Sequence, residues 1–286
     1  MWILFAFASA FFAGIMSILA KIGIKNTDSN LAIALRTIVV VVFAWIMVFI
    51  VGSHTTVADV ETKTIIFLIL SGFATGGAWL CYFKALQLGD VNKVAPIDKS
   101  SIVLTMLISM TFLGEGFTVI RIFALIFIGV GTYLMLDRKE IVTSESKGYA
   151  WIIYAALAAV FASLTAILGK IGIEGVESNL GTAIRTIVVL CMAWLIVFMQ
   201  GKHKDIRQID KKSWIFLALS GLATGLSWLC FYSALQQGPV SVVIPIDKLS
   251  ILVTIAFSYF ILKEKLKKLS IIGLVLIVIG TLSLLI

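Results

Sequence analysis

The chain has 286 residues, 60% of them hydrophobic and 13% charged, with 23 Lys and Arg against 15 Asp and Glu for a formal net charge of +8. A soluble domain is about 45–50% apolar and about 25% charged, so a water-soluble globule is excluded. With 22 Gly and 3 Pro, collagen-like and low-complexity chains are excluded as well, and so is intrinsic disorder.

The surplus apolar residues must face lipid. A spanning helix needs about 20 apolar residues, because the hydrocarbon core is about 30 Å thick and a helix rises about 1.5 Å per residue. Ten segments meet this requirement. The first, 2–23, contains Ala8-Ser9-Ala10, which resembles a signal-peptidase site, but no positive charge precedes it. It ends near Lys21, where a cation complements the helix dipole and reaches water. The second, 30–52, opens at Asn30 and carries Arg36 about 9 Å inside it. The third, 64–86, reads Ser71-Gly72-Phe73-Ala74-Thr75-Gly76, and its glycines four apart permit close helix approach. Thr75, Trp79 and Tyr82 then recur at i, i+4 and i+7, so a hydroxyl, an indole and a phenol share one helical face. The fourth, 93–113, opens on Ala95-Pro96-Ile97-Asp98-Lys99 and carries Thr105, and the fifth, 118–136, carries Gly129 and Gly131.

A polar stretch from Asp137 to Gly148 is the only linker. Beyond it lie 150–172, with Lys170 near its end, and 179–200, with Arg185. Segment 213–235 repeats Ser220-Gly221-Leu222-Ala223-Thr224-Gly225, followed by Trp228, Phe231 at the position of Tyr82, and Tyr232. Segment 241–262 repeats Ile244-Pro245-Ile246-Asp247-Lys248 and carries Thr254, and 268–286 carries Gly280. Continuous apolar runs such as 271–279 lack the alternation of a β-barrel strand. The fold class is therefore all-α and integral to the membrane.

Displaced by 149 residues, 2–137 aligns with 151–286 without a gap, and 62 of the 136 positions are identical. Residues 1–137 form a first repeat, 138–149 a linker and 150–286 a second repeat. Each repeat has five spans, an odd number, so the second must enter the membrane from the opposite face. Loop charge agrees, since Lys and Arg accumulate in cytoplasmic loops. The loop Gly52 to Lys63 carries one Lys, whereas its counterpart carries Lys202, Lys204, Arg207, Lys211 and Lys212. Over the whole chain 14 loop Lys and Arg fall on one face and 2 on the other. The first face is expected to be cytoplasmic, which puts both termini outside. The net charge is largely this bias, so a nucleic-acid partner is not needed to explain it.

Cys81, Cys191 and Cys230 all lie within spans, His54 and His203 stand alone in loops, and no Cys/His group has metal-ligand spacing. No nucleophile–base constellation stands in the membrane or its loops, which argues against an enzyme. Neither a cofactor nor a metal is expected.

Repeat-paired polar residues inside the spans are the first site candidates, because intramembrane charges cost several kcal/mol unless paired or hydrated. Asp98 with Lys99, and Asp247 with Lys248, can hold a polar substrate or relay a proton at a Pro-broken helix start. They can equally be structural, with Pro in a first turn, Asp on the dipole and Lys snorkelling. Arg36 and Arg185 can contact an anionic group, or form Arg36–Asp98 and Arg185–Asp247 latches. Thr75, Trp79, Tyr82, Thr224, Trp228, Tyr232, Thr105 and Thr254 are candidates for the substrate pathway. Glu115 and Glu264 are expected to cap or pair locally.

The tandem five-helix layout, Leu113-Gly114-Glu115 between the fourth and fifth spans, and the glycines of the fifth and tenth spans resemble one known group. It is that of the ten-helix transporters of the drug/metabolite transporter superfamily, built from two EamA-type repeats. The second repeat departs from the motif at Leu262-Lys263-Glu264. The resemblance implies inverted repeats around a central cavity lined by helices one, three, four, six, eight and nine. Small multidrug resistance relatives carry a membrane glutamate in the first helix, whereas the first and sixth spans here have no acidic residue. The expected function is secondary transport of small organic metabolites such as amino acids, in the direction of export, across a plasma or inner membrane. Efflux of aromatic cations, and a non-transporting sensor or assembly module, are the alternatives. The expected partners are a small-molecule substrate and the lipid bilayer, and the glycines of the fifth and tenth spans permit a homodimer.

Overall fold

The computed structural model of the chain describes residues 1–23, 27–88, 94, 97, 99–135, 150–262 and 268–286. Among the described residues every regular element is helical. The first repeat contributes α1 (Trp2–Gly23), α2 (Ser29–Val51), α3 (Thr62–Leu88), α4 (Ser101–Phe112) and α5 (Val119–Met135). The second contributes α6 (Ala150–Ile173), α7 (Ser178–Met199), α8 (Lys211–Gln237), α9 (Val240–Lys248), α10 (Ser250–Leu262) and α11 (Lys268–Ser283). Among the described residues seven stretches are long and apolar enough to cross a membrane, one of them Val240–Phe257, which takes in α9 and part of α10. Ser101–Phe112, Val119–Met135 and Leu269–Ser283 are shorter apolar helices. The expected span 241–262 thus differs from the structure, which divides it at Leu249.

Asp28, Glu177 and Asp210 sit where helices begin, because the first backbone N–H groups of a helix lack intrahelical acceptors and carry its positive pole. Asp28 accepts from Asn30 N at 3.0 Å and Leu31 N at 3.1 Å and sets the start of α2. Its repeat counterpart Glu177 accepts from Asn179 N and Leu180 N, both at 3.0 Å, and starts α7. Asp210 takes the Ser213 hydroxyl at 2.7 Å and the Ser213 N–H at 3.1 Å. These bonds hold its carboxyl below the ordinary aspartate range.

Two compact units result, and each draws on both repeats. Unit one comprises Met1–Phe73, Leu168–Gly238 and Ser250–Lys263, and unit two Ala74–Ile167, Pro239–Leu249 and Glu264–Ile286. In unit one α1 packs on α8 and α10, and α2 on α7 and α8. Lipid is as apolar as a leucine side chain, so close van der Waals approach has to supply what water exclusion supplies in a soluble core. Small residues make that approach possible. A Cβ on Gly72 would lie 2.6 Å from Val188 Cβ, and a Cβ on Gly221 would lie 2.6 Å from Val39 Cβ. Val39 and Val188 are repeat counterparts, so one contact is made twice. A core of Ala44, Val48, Leu180 and Ala183 fills the space between α2 and α7.

In unit two α5 packs on α11, and α4 on α9. A Cβ on Gly131 would stand 2.6 Å from Gly273 O, and one on Gly280 3.1 Å from Ala124 O. Gly129 lies against Val103 at 3.3 Å from its would-be Cβ. The glycines of the fifth and tenth spans therefore make their close approach within the chain.

Candidate functional site

The expected ninth span, 241–262, is a broken helix. α9 begins at Val240 after Pro239, runs nine residues and carries Pro245 in its interior, and α10 resumes at Ser250. Sequence reading placed the Pro-Ile-Asp-Lys motif at a helix start, whereas the structure places it at the end of α9. At the break, Leu249 N donates to Ile246 O at 2.9 Å in a tight turn. Ser100, its counterpart in the first repeat, donates in the same way to Ile97 O at 3.2 Å. After each break a threonine hydroxyl reaches back one turn, Thr105 to Ser101 O at 2.7 Å and Thr254 to Ser250 O at 3.1 Å. Such back-bonding competes for backbone carbonyls and bends helices.

The position of the break matters. Nine residues of α9 precede it and the thirteen of α10 follow it. There Asp247 and Lys248 stand with Nζ and Oδ2 3.9 Å apart, and their side chains are 17% and 47% exposed. Lys99, at the equivalent place, is also exposed. Asp98 lies outside the described residues. Each break is held by a neighbouring span: the Ser163 hydroxyl of α6 donates to Ser101 O at 3.0 Å, and Gly14 of α1 lets Ser250 O approach within 2.9 Å of its would-be Cβ.

The short α9 is anchored at its start by a residue from far away in the chain. Glu115 accepts from Val240 N at 2.5 Å and Ser241 N at 2.9 Å, one bond to each carboxylate oxygen. Gly114 (φ +70°) and Gly116 (φ +71°) flank it, and their left-handed backbone shapes the turn that presents the carboxylate. Capping is thus what Glu115 does, although its partners are 125 and 126 residues away. Glu264 lies outside the described residues.

The two arginines occupy identical repeat positions and differ in surroundings. Arg185 is 2% exposed. Its Nε donates to Ser71 Oγ at 2.9 Å, and its guanidinium lies 4.9 Å from the Tyr232 ring centroid and 5.3 Å from that of Trp228. Arg36 is only partly buried. Its Nη1 donates to Met16 Sδ at 3.1 Å, and its buried Nε has no partner. Ser220, the counterpart of Ser71, donates to Met16 O at 3.3 Å.

Of the remaining candidates, Thr75 is buried with its hydroxyl 3.4 Å from that of Thr165, and Thr224 is buried and donates to Ser220 O at 2.7 Å. Trp79, Tyr82 and Trp228 are partly buried, and Tyr82 packs against Ala85, Val94 and Ala155. Lys170 stands in the last turn of α6. Its Nζ donates to Leu235 O at 2.6 Å near the end of α8, with Glu174 at 3.2 Å. Asp28 and Glu177 escape a reading confined to polar residues within spans, and Ser163 escapes one confined to repeat-paired polar residues, since its counterpart is Gly14. The aligned acidic pair just before the second and seventh spans was the signal for two of them. Among the described residues no group of three His, Cys, Asp or Glu could hold a metal.

The EamA-like transporter family matches residues 1–137 and again 149–286. An uncharacterized transporter of Sinorhizobium sp., named for the cobO 3' region, is 42% identical over 135 residues, 47% of this chain and 96% of that protein. It is thus as long as one repeat. An uncharacterized transporter of Bacillus subtilis, YxxF, is 28% identical over 167 residues, 58% of this chain and 52% of that protein. A protein crystal structure with 15% identity covers 99% of this chain and 96% of its own, at a TM-score of 0.79. That likeness extends to the fold.

Proposed function

This chain belongs to the EamA-like transporter family, and from that premise we propose that it is a secondary transporter exporting small organic metabolites by alternating access. It crosses a plasma or inner membrane ten times, as two five-helix repeats of inverted topology with both termini outside. Supporting this are the two membrane-spanning repeats, the odd span count in each, and the 14-to-2 division of loop Lys and Arg. The chain carries no P-loop, so an ion or solute gradient supplies the work.

The observation that carries the reading is the pair of breaks at Ser100 and Leu249. Discontinuous helices in equivalent positions of two repeats are how many secondary transporters form a site near the midplane. A break frees backbone donors and acceptors there, and non-helical backbone at membrane depth is tolerated where it is buried in protein or lines water. Lys99 and Lys248 favour the second condition, since an exposed ammonium inside a span is costly in hydrocarbon.

Counterflow in sealed liposomes containing only the purified chain tests the proposal. Vesicles loaded with an unlabelled amino acid, nucleoside or sugar should accumulate the labelled form of the substrate. Absence of accumulation for every class, with folded protein in the vesicles, would leave the sensor or assembly reading.

A further inference from the structure

Duplication placed the same arginine at the same depth in both repeats, and the two copies have since come to differ. Arg185 is built into unit one: the Ser71 hydroxyl takes its Nε, and Tyr232 and Trp228 cover its faces. Arg36 is not built in this way. Ser220, which by the repeat relation stands where a hydroxyl could take the Arg36 Nε, donates instead to a backbone oxygen of α1. The counterpart of Tyr232 is Phe83, which has no hydroxyl. Among the described residues the one acceptor for the Arg36 guanidinium is the soft, weakly accepting sulfur of Met16, held at Nη1. The buried Nε is left without a partner, and Nε together with Nη2 forms the edge on which a carboxylate seats both oxygens.

We propose that Arg36 is the residue that recognises the transported solute, that it does so through a carboxylate, and that Arg185 is its structural twin. The proposal rests on the transport reading. A partly buried guanidinium inside a span, with a buried Nε that lacks a partner, is stabilised where an anionic oxygen group completes its hydrogen bonds. One guanidinium balances one carboxylate, whereas a phosphate dianion would bring a second negative charge into a low-dielectric site. Met16 suits the organic part of such a solute, because an unbranched thioether adapts to irregular apolar shapes.

The test uses the purified full-length chain and three series of probes: the amino acids with the corresponding 2-oxo acids, the primary amide of each, and alkyl phosphates. Thermal stabilisation and liposome counterflow are read in parallel. The expected result is stabilisation by a carboxylate and not by its amide. Arg36→Gln and Arg36→Lys should each weaken it by roughly 10- to 150-fold, since a hydrogen bond to a charged group is lost in one and the planar fork in the other. Ser71→Ala, which removes the acceptor of the twin arginine's Nε, should leave the carboxylate affinity within about threefold. Equal stabilisation by acid and amide, retention of affinity in Arg36→Gln, a response to phosphates alone, or no response to any carboxylate would each overturn the proposal. If carboxylates bind through Arg36 but none exchanges across the liposome membrane, it is the transport reading that fails. If neutral solutes exchange and Arg36→Gln exchanges them equally, transport stands and the carboxylate site falls.

Discussion

Replacing Glu115 isolates the contribution of a single cap to a broken span. In Glu115→Ala, Val240 N and Ser241 N lose their acceptors, now 2.5 and 2.9 Å away. Loss of an N-cap costs about 0.5–2 kcal/mol, and a carboxylate near the positive end of a helix adds about 0.3–1 kcal/mol. A total of about 2 kcal/mol follows for this partly buried pair. The nine-residue α9 has little to offset it with. Pro245 has no N–H to return to the preceding turn, and the helix ends three residues further on. Residues Val240 to Ile246 are buried, so the effect is local opening rather than a change of surface. Hydrogen exchange of the full-length protein reads it directly: about 2 kcal/mol lost raises exchange at Ser241 through Ile244 by roughly 30-fold. Glu115→Gln keeps one acceptor oxygen without the charge and should fall between, at about 1 kcal/mol. Wild-type exchange over α9 in Glu115→Ala would refute the role of the cap, as would increased exchange spread evenly over all helices.

Three further outcomes follow from the same structure. Ser71→Ala removes the acceptor of a buried charged donor and should lower stability by about 1.5–3 kcal/mol, visible as a drop in the thermal midpoint without loss of secondary structure. Gly273→Ala would place a Cβ 2.5 Å from Gly131 O, so α5 and α11 must separate, at a cost of about 1–3 kcal/mol in a denaturant or thermal titration. Asp210 has a folded-state pKa below its unfolded value, so its contribution is fully present above the unfolded pKa and is lost as pH falls through the folded one. Between neutrality and the acid range, Asp210→Asn should flatten the dependence of the thermal midpoint on pH, and an unchanged slope would show that Ser213 does not matter.

Hydropathy made the spans legible, because each must supply an uninterrupted apolar stretch whatever its neighbours do. The ends of α1, α2, α6 and α7 fall within a residue of their expected positions. The break at Leu249 was not legible. Asp247 and Lys248 interrupt the apolar run just before it, but a charged pair inside a span marks a candidate site as readily as a turn, and Pro245 signals a weak helix without saying where the chain turns. Glu115 could be read as a cap but not assigned a partner, since Val240 is brought to it by tertiary folding alone. The arginines illustrate the same limit. Arg36 and Arg185 are one letter at one repeat position, and their different fates depend on Ser71, Tyr232 and Met16, which reach them from other helices.

The mixing of repeats in each unit has a consequence for biosynthesis. The Ser9 and Ser227 hydroxyls are 3.3 Å apart, yet 218 positions separate them in the chain. At a translation rate of about 5–20 residues per second, α1 resides in the bilayer for roughly 10–40 s before α8 has been made. During that interval the small-residue face of α1 that will meet α8 is open to other nascent helices. Slow translation, or truncation before residue 238, would leave that face unmatched, so quality control acting on this protein has to recognise a first repeat that is inserted but still waiting.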